Sequence, residues 1–97
     1  MNEEVNSRLN ATVMGRVQGV NFRYFVIEQA ELLGLNGWVR NKWNGTVEVT
    51  AEGSHQNLEI LLQQLHQGPP MARVEDICFE WLPYTGEFLD FQVRSTV

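Results

Sequence analysis

The sequence has no pair of cysteines. Cys78 stands alone among 97 residues, so no internal disulfide can form, and a reducing, cytoplasmic setting is expected. No apolar run is long enough to span a bilayer, and the opening MNEEVNSRLN has neither the basic start nor the apolar stretch of a signal peptide, so no membrane partner is expected. Positive charge is scarce. Lys+Arg 7 against Asp+Glu 12 gives a formal charge of -5, which repels polyanions and argues against nucleic acid or anionic lipid as a general partner. Any anion site must therefore be local. His55 and His66 fall near opposite ends of one predicted helix, about 16 Å apart along its axis, too far to share a metal ion. They read as solvent-facing. A Cys-x-x-Cys pair is missing, which excludes a metal-carrier domain of that kind.

What is present suits an ordinary globular chain: hydrophobic residues make up 43% and charged residues 20%. The length fits a single domain over residues 1–97, with residues 1–7 expected as a flexible tail. RLNATVMG alternates, with Leu9, Ala11 and Val13 on one face, as a half-buried strand ending at Gly15 would. Phe22, Phe25, Val26, Ala30 and Leu33 recur at helical spacing. Asn21 is the expected N-cap and Gly34 the left-handed stop. GWVRNKWNGTVEVTAEG reads as a hairpin around Asn44-Gly45. A three-residue loop ending in Gly45 would align Val39 with Val49 and Asn41 with Val47, pointing Asn41 to the face of the valines. Ser54 caps a second helix carrying Leu58, Leu61, Leu62 and Leu65, stopped by Gly68-Pro69-Pro70. RVEDICFEWLP places Ile77, Phe79 and Trp81 on one strand face, and FLDFQVR suggests a short edge strand. The order β-α-β-β-α-β plus a final β predicts an α+β, ferredoxin-like split βαβ fold: an antiparallel sheet with both helices on one face.

The first connection, GRVQGVNFR, places an arginine at the start of a helix, where unpaired N–H groups and the helix dipole already carry positive charge. A loop between Gly15 and Gly19 could turn its N–H groups inward as a nest that accepts an oxyanion of phosphate size. Arg23, near the second helical position, could add a planar fork of donors to two oxygens of that anion. Arg16 ranks below it, as a second cation beside the loop. On pattern alone, a structural loop with a solvent-facing arginine is about as good a reading. Cys78 reads as a small packing residue, and Trp38, Trp43 and Trp81 as sheet packing, with Trp43 partly exposed beside the turn.

GRVQGVNFR together with GWVRNKWNGTVEVTAEG resembles the paired signature of the acylphosphatase family, and GLNGWVRN, GPPMARVE and LDFQVR extend the likeness over nearly the whole chain. The resemblance implies a small cytosolic, ferredoxin-like, metal-free enzyme without a cofactor. It would hydrolyse a small-molecule acyl phosphate to a carboxylate and inorganic phosphate, with phosphate as product and inhibitor. It also implies roles: Arg23 as the phosphate-binding arginine, Asn41 as the residue orienting water, and the backbone of Arg16, Val17, Gln18, Gly19 and Val20 as the phosphate cradle. Asn44 stands where many members have Asp. Val26 stands where many have Thr, which removes a hydroxyl one helical turn from Arg23.

Such chemistry needs no strong general acid. The leaving carboxylate has a conjugate acid of pKa about 4, and phosphoryl transfer rests largely on positioning and charge stabilisation. No apolar stripe is left over once sheet and helices are packed, so a monomer is expected. An RNA-recognition module would need aromatics on its central strands and a basic surface, both missing here. The alternative that stays open is a non-catalytic phosphate or acyl-phosphate binding module on the same fold.

Overall fold

The structure, a computed structural model, describes residues 5–97. The alternation of Leu9, Ala11 and Val13 with polar neighbours forms strand β1 (Asn6–Arg16), and all three apolar side chains are fully buried. β1 leads into helix α1 (Phe22–Leu32), the hairpin β2 (Asn36–Asn41) and β3 (Val47–Ser54), helix α2 (His55–Gln67), strand β4 (Arg73–Leu82) and the short β5 (Phe91–Val93). The sheet order is β4-β1-β3-β2-β5. The first four strands are antiparallel, and β5 adds to the edge parallel to β2. This is the expected ferredoxin-like arrangement. Among the described residues no helix is long and apolar enough to cross a membrane.

The hairpin register is the one that turn chemistry favours. Val39 pairs with Val49 and Asn41 with Val47. Lys42 N–H donates to the Thr46 carbonyl at 2.9 Å and Gly45 N–H to the Lys42 carbonyl at 3.0 Å, closing a three-residue loop with Gly45 at φ 92. Asn44 Oδ1 accepts from Thr46 N–H and Oγ1, so asparagine stabilises this turn through its own side chain.

Both helices bury one stripe against the same sheet face: Phe22, Val26 and Ala30 from α1, and Leu58, Leu61 and Leu65 from α2. Each of the leucines contributes about 1.5–3 kcal/mol before conformational entropy is counted. Helix α1 ends at Gly34 (φ 66), where Gly34 N–H donates to the Glu31 carbonyl and Leu35 N–H to the Ala30 carbonyl, the paired bonds of a left-handed stop. The opposite sheet face is closed by polar contacts. Buried Glu52 accepts from Thr85 N–H, Thr85 Oγ1 and Gly86 N–H, tying down the chain that leads from β4 to β5. Trp38 is 7% exposed and lies between the Arg40 and Arg94 guanidinium groups at 4.6 and 5.0 Å.

Several local expectations need correction. β1 begins at Asn6, and Ser7 is paired with Gly53, so part of the expected tail is strand; residues 1–4 lie outside the described residues. Gly15 does not end β1. It marks a bulge within the strand at φ 127, where a Cβ would run into the Arg73 carbonyl, and pairing continues to Arg16. Phe79 and Trp81 share the face of Ile77, yet they are 47% and 36% exposed, on a strand that forms the edge of the sheet. Cys78 is exposed on the other face rather than packed. His55 is half-buried: its Nδ1 is 3.0 Å from Ser7 Oγ, and its ring lies 4.1 Å from that of Trp81.

Candidate active site

Between β1 and α1 the chain is pinned from below. Val17 and Val20 drop into the core, as does Phe22 at the start of the helix, so the residues between them are held above it. Gly19 and Asn21 turn the backbone at φ 72 and 69, and a Cβ at Gly19 would meet nothing within 4 Å. The demand on Gly19 is therefore conformational rather than steric. Asn21 occupies the N-cap position, but it adopts the left-handed conformation and its side chain makes no cap bond. A capping side chain needs an extended backbone to reach the N–H groups of the first turn. Asn21 N-caps α1 by position only.

The consequence is a run of free donors. Phe25 N–H donates to the Asn21 carbonyl, whereas the N–H groups from Gln18 to Tyr24 find no acceptor among the described residues. The first turn of α1 carries no acidic side chain, and Arg23 makes no ion pair among the described residues. Donor groups and a guanidinium thus sit together without a negative partner among the described residues.

These elements open onto a cavity of about 400 Å³. Its polar lining comes from Gly19, Asn21, Arg23 and Asn41, over a floor of Val17 and Phe22; Tyr24, Ile27 and Val93 complete the wall. Arg23 is the one charged residue of this lining. Asn41, the last residue of β2, presents a buried Oδ1 that has no hydrogen-bond partner among the described residues. An acceptor left unpaired in the interior costs about 1–3 kcal/mol.

The hairpin end that carries Asn41 is fixed from two sides. Gln18 turns its side chain away from the cavity, and Nε2 donates to the Lys42 and Thr46 carbonyls at 2.8 and 2.9 Å. The last residues of the chain run beside β2: Val97 N–H donates to the Asn41 carbonyl and Trp43 N–H to the Val97 carbonyl. Trp43 itself is 83% exposed.

The structure brings Val17, Gly19, Arg23 and Asn41 to one cavity. Arg16, Gln18 and Val20 are outside its lining: Arg16 is exposed opposite Arg73 on β4, and Val20 is core. Val26 is also core, so the hydroxyl expected to be missed beside Arg23 would have pointed into the apolar interior. The sequence reading did not reach the Gln18 side-chain bridge, nor Tyr24, Ile27 and Val93. The spacing of Arg23 and Ile27, one helical turn apart, was a usable signal for the latter.

No perturbed carboxyl among the described residues lines the cavity. Burial alone would raise the Glu48 carboxyl, but hydrogen bonds from Asn10 and Arg40 and the charges of Arg40 and Lys42 hold it below the usual range. The Arg8 guanidinium beside Glu87 lowers that carboxyl, on the opposite sheet face. Among the described residues no group of three or more His, Cys, Asp or Glu is placed to hold a metal ion.

Fold and site together define a class: small ferredoxin-like α+β proteins with a cavity lined by backbone donors and an arginine at the first βα connection. A sequence profile of the acylphosphatase family matches residues 9–93. An acylphosphatase of Pelotomaculum thermopropionicum is 45% identical over 87 residues, covering 90% of this chain and 95% of that one. Among solved structures, an acylphosphatase from Coxiella burnetii superposes with a TM-score of 0.88 at 38% identity, covering 97% of this chain and all of that one. One from Bacillus subtilis does so with 0.88 at 35%, covering 91% and 98%. The chain belongs to the acylphosphatase family. Its relatives favour hydrolysis over non-catalytic binding on the same fold.

Proposed function

We propose that the protein hydrolyses a small-molecule acyl phosphate by binding its phosphoryl group on the free N–H groups before and within the first turn of α1 and on the Arg23 guanidinium. Asn41 orients the attacking water. The carrying observation is that Asn41, whose buried Oδ1 has no hydrogen-bond partner among the described residues, lines the same cavity as Arg23. A nucleophilic water needs an acceptor for its proton so that a lone pair is turned toward phosphorus, and an amide carbonyl is such a partner.

Water attacks phosphorus, the bond from phosphorus to the bridging oxygen breaks, and the acyl group leaves as a carboxylate that needs no proton, its conjugate acid having a pKa of about 4. The water proton passes to a phosphoryl oxygen, giving carboxylate and dihydrogen phosphate. The N–H groups and Arg23 stabilise charge on the equatorial oxygens as the bond loosens. Inorganic phosphate then competes with substrate for the same donors. The reading extends to the setting: a single domain over residues 1–97 acting as a monomer in the cytoplasm. Cys78, which has no disulfide partner in the sequence, supports a reducing environment.

Purified protein should turn over benzoyl phosphate in the presence of a chelator, with phosphate as a competitive inhibitor. Asn41→Ala should lower turnover by about 10²-fold, the scale set by loss of one positioned group, while phosphate inhibition persists. Phosphate binding without turnover in the unaltered protein would return the non-catalytic reading. Equal loss of both in the variant would make Asn41 a binding residue.

A further inference from the structure

The phosphoryl end accounts for only part of the cavity. A phosphate group of five heavy atoms takes about the share of two waters, ~60 Å³. The cavity measures about 400 Å³. Beyond Arg23 and Asn41 the lining changes character, to Tyr24, Ile27 and Val93. Tyr24 and Val93 are 62% and 47% exposed and Ile27 is half-buried, so all three present apolar surface that the fold itself does not bury.

Their placement is ordered. Ile27 lies one helical turn beyond Arg23 and three residues beyond Tyr24, so the first two turns of α1 set an apolar strip beside the guanidinium. Val93 pairs with Val39 of β2, two residues before Asn41 on the same strand face. The apolar wall therefore begins beside both polar groups rather than at a separate surface. It contains no cation besides Arg23 and no carboxylate.

Resting on the reading above, we infer that Tyr24, Ile27 and Val93 receive the acyl group. The substrate class is then acyl phosphates with an apolar acyl portion, aromatic or aliphatic and several carbons long, in preference to acetyl phosphate and to acyl groups that carry a second carboxylate. An apolar acyl group gains by leaving water for this wall. A second carboxylate would lose hydration there without a cation to compensate, since Arg23 is engaged by the phosphoryl oxygens.

The experiment compares kcat/KM for benzoyl, hexanoyl, acetyl and succinyl phosphates in the full chain and in Tyr24→Ser/Val93→Ser. The ratio between protein forms cancels the intrinsic reactivity of each anhydride. Benzoyl and hexanoyl phosphate should exceed acetyl phosphate, and the double substitution should lower that advantage by about tenfold, the scale of hydrophobic discrimination of small groups. Competitive inhibition by inorganic phosphate, which has no acyl end, should stay where it was. Tyr24→Lys supplies the missing cation and should raise the rate on succinyl phosphate relative to benzoyl phosphate; both altered positions are exposed and do not belong to the core. Equal rates on all four substrates, an advantage untouched by the double substitution, or succinyl phosphate favoured by the unaltered protein would each overturn the inference. Turnover of no acyl phosphate at all would instead overturn the proposed hydrolysis.

Discussion

The two helices of this domain begin in opposite ways. At α2, Ser54 is extended (φ −62, ψ 137) and its Oγ accepts from Asn57 N–H at 3.1 Å, so the helix supplies an acceptor for one of its own open donors. At α1, Asn21 is left-handed, caps nothing, and is followed two residues later by an arginine with no acidic neighbour in the first turn. Both helices pack on the same sheet face with similar apolar stripes, so the core does not require the difference. One start is optimised for folding. The other keeps its N–H groups and Arg23 without partners among the described residues, and a proposed phosphoryl group accounts for why.

The comparison is broken most severely at Arg23. Arg23→Ala should reduce turnover by about 10²–10³-fold, the usual loss for a charge-stabilising donor in the transition state. Its effect on ligand-free stability should have the opposite sign. A cation at a helix N-terminus is unfavourable by about 0.3–1 kcal/mol, and a half-exposed one falls at the low end, so the variant should melt slightly higher without phosphate. Phosphate at a hundred times its Kd should stabilise the unaltered protein by about 2.7 kcal/mol and the variant far less. A variant that melts lower and is still protected by phosphate would show that Arg23 belongs to the fold.

Gln18 tests whether the open helix start acts together with the hairpin. Its amide bridges the Lys42 and Thr46 carbonyls, which flank the loop just beyond Asn41. Gln18→Leu keeps the bulk and removes both bonds. Turnover should fall about ten- to a hundredfold, because small displacements of a positioned group cost that much, while phosphate inhibition is retained. Loss of phosphate inhibition with turnover per bound substrate unchanged would place Gln18 in the cradle instead.

Much of this was legible in the sequence because it rests on local chemistry. The hairpin register followed from Gly45 and the valine alternation, and the ends of both helices from Ser54, Gly34 and Gly68. What stayed hidden depends on distant parts of the chain. Asn21 has a capping residue's identity and position, but its backbone angle is set by the loop that Val17 and Val20 anchor in the core. The exposure of Phe79 and Trp81 depends on the place of β4 at the edge of the sheet, which pairing with β1 decides. The Gln18 bridge joins residues 24 and 28 apart, and Val93 reaches the cavity only because β5 pairs with β2. Spacing along one element could reveal Arg23 with Ile27, but no spacing rule connects either of them to Val93.

The smallest effect is expected at the start of the helix that already has a partner. Ser54→Ala leaves Asn57 N–H without its acceptor at 3.1 Å, a loss of about 1 kcal/mol for a replaced N-cap serine. In a domain of this size, that lowers Tm by about 4–8 °C. Asn57 also donates through Nδ2 to the Leu33 carbonyl at the C-terminal end of α1, so loosening α2 could reach the opposite end of α1 but not its first turn. Turnover and phosphate inhibition, measured well below the new Tm, should therefore be unchanged. Thermal unfolding and kinetics on the same preparation separate the two helix starts: stability falls at Ser54 with function kept, and function is lost at Arg23 with ligand-free stability kept or slightly raised. If Ser54→Ala weakened phosphate inhibition as well, the two starts would be coupled through the core, and the division of labour between them would fail.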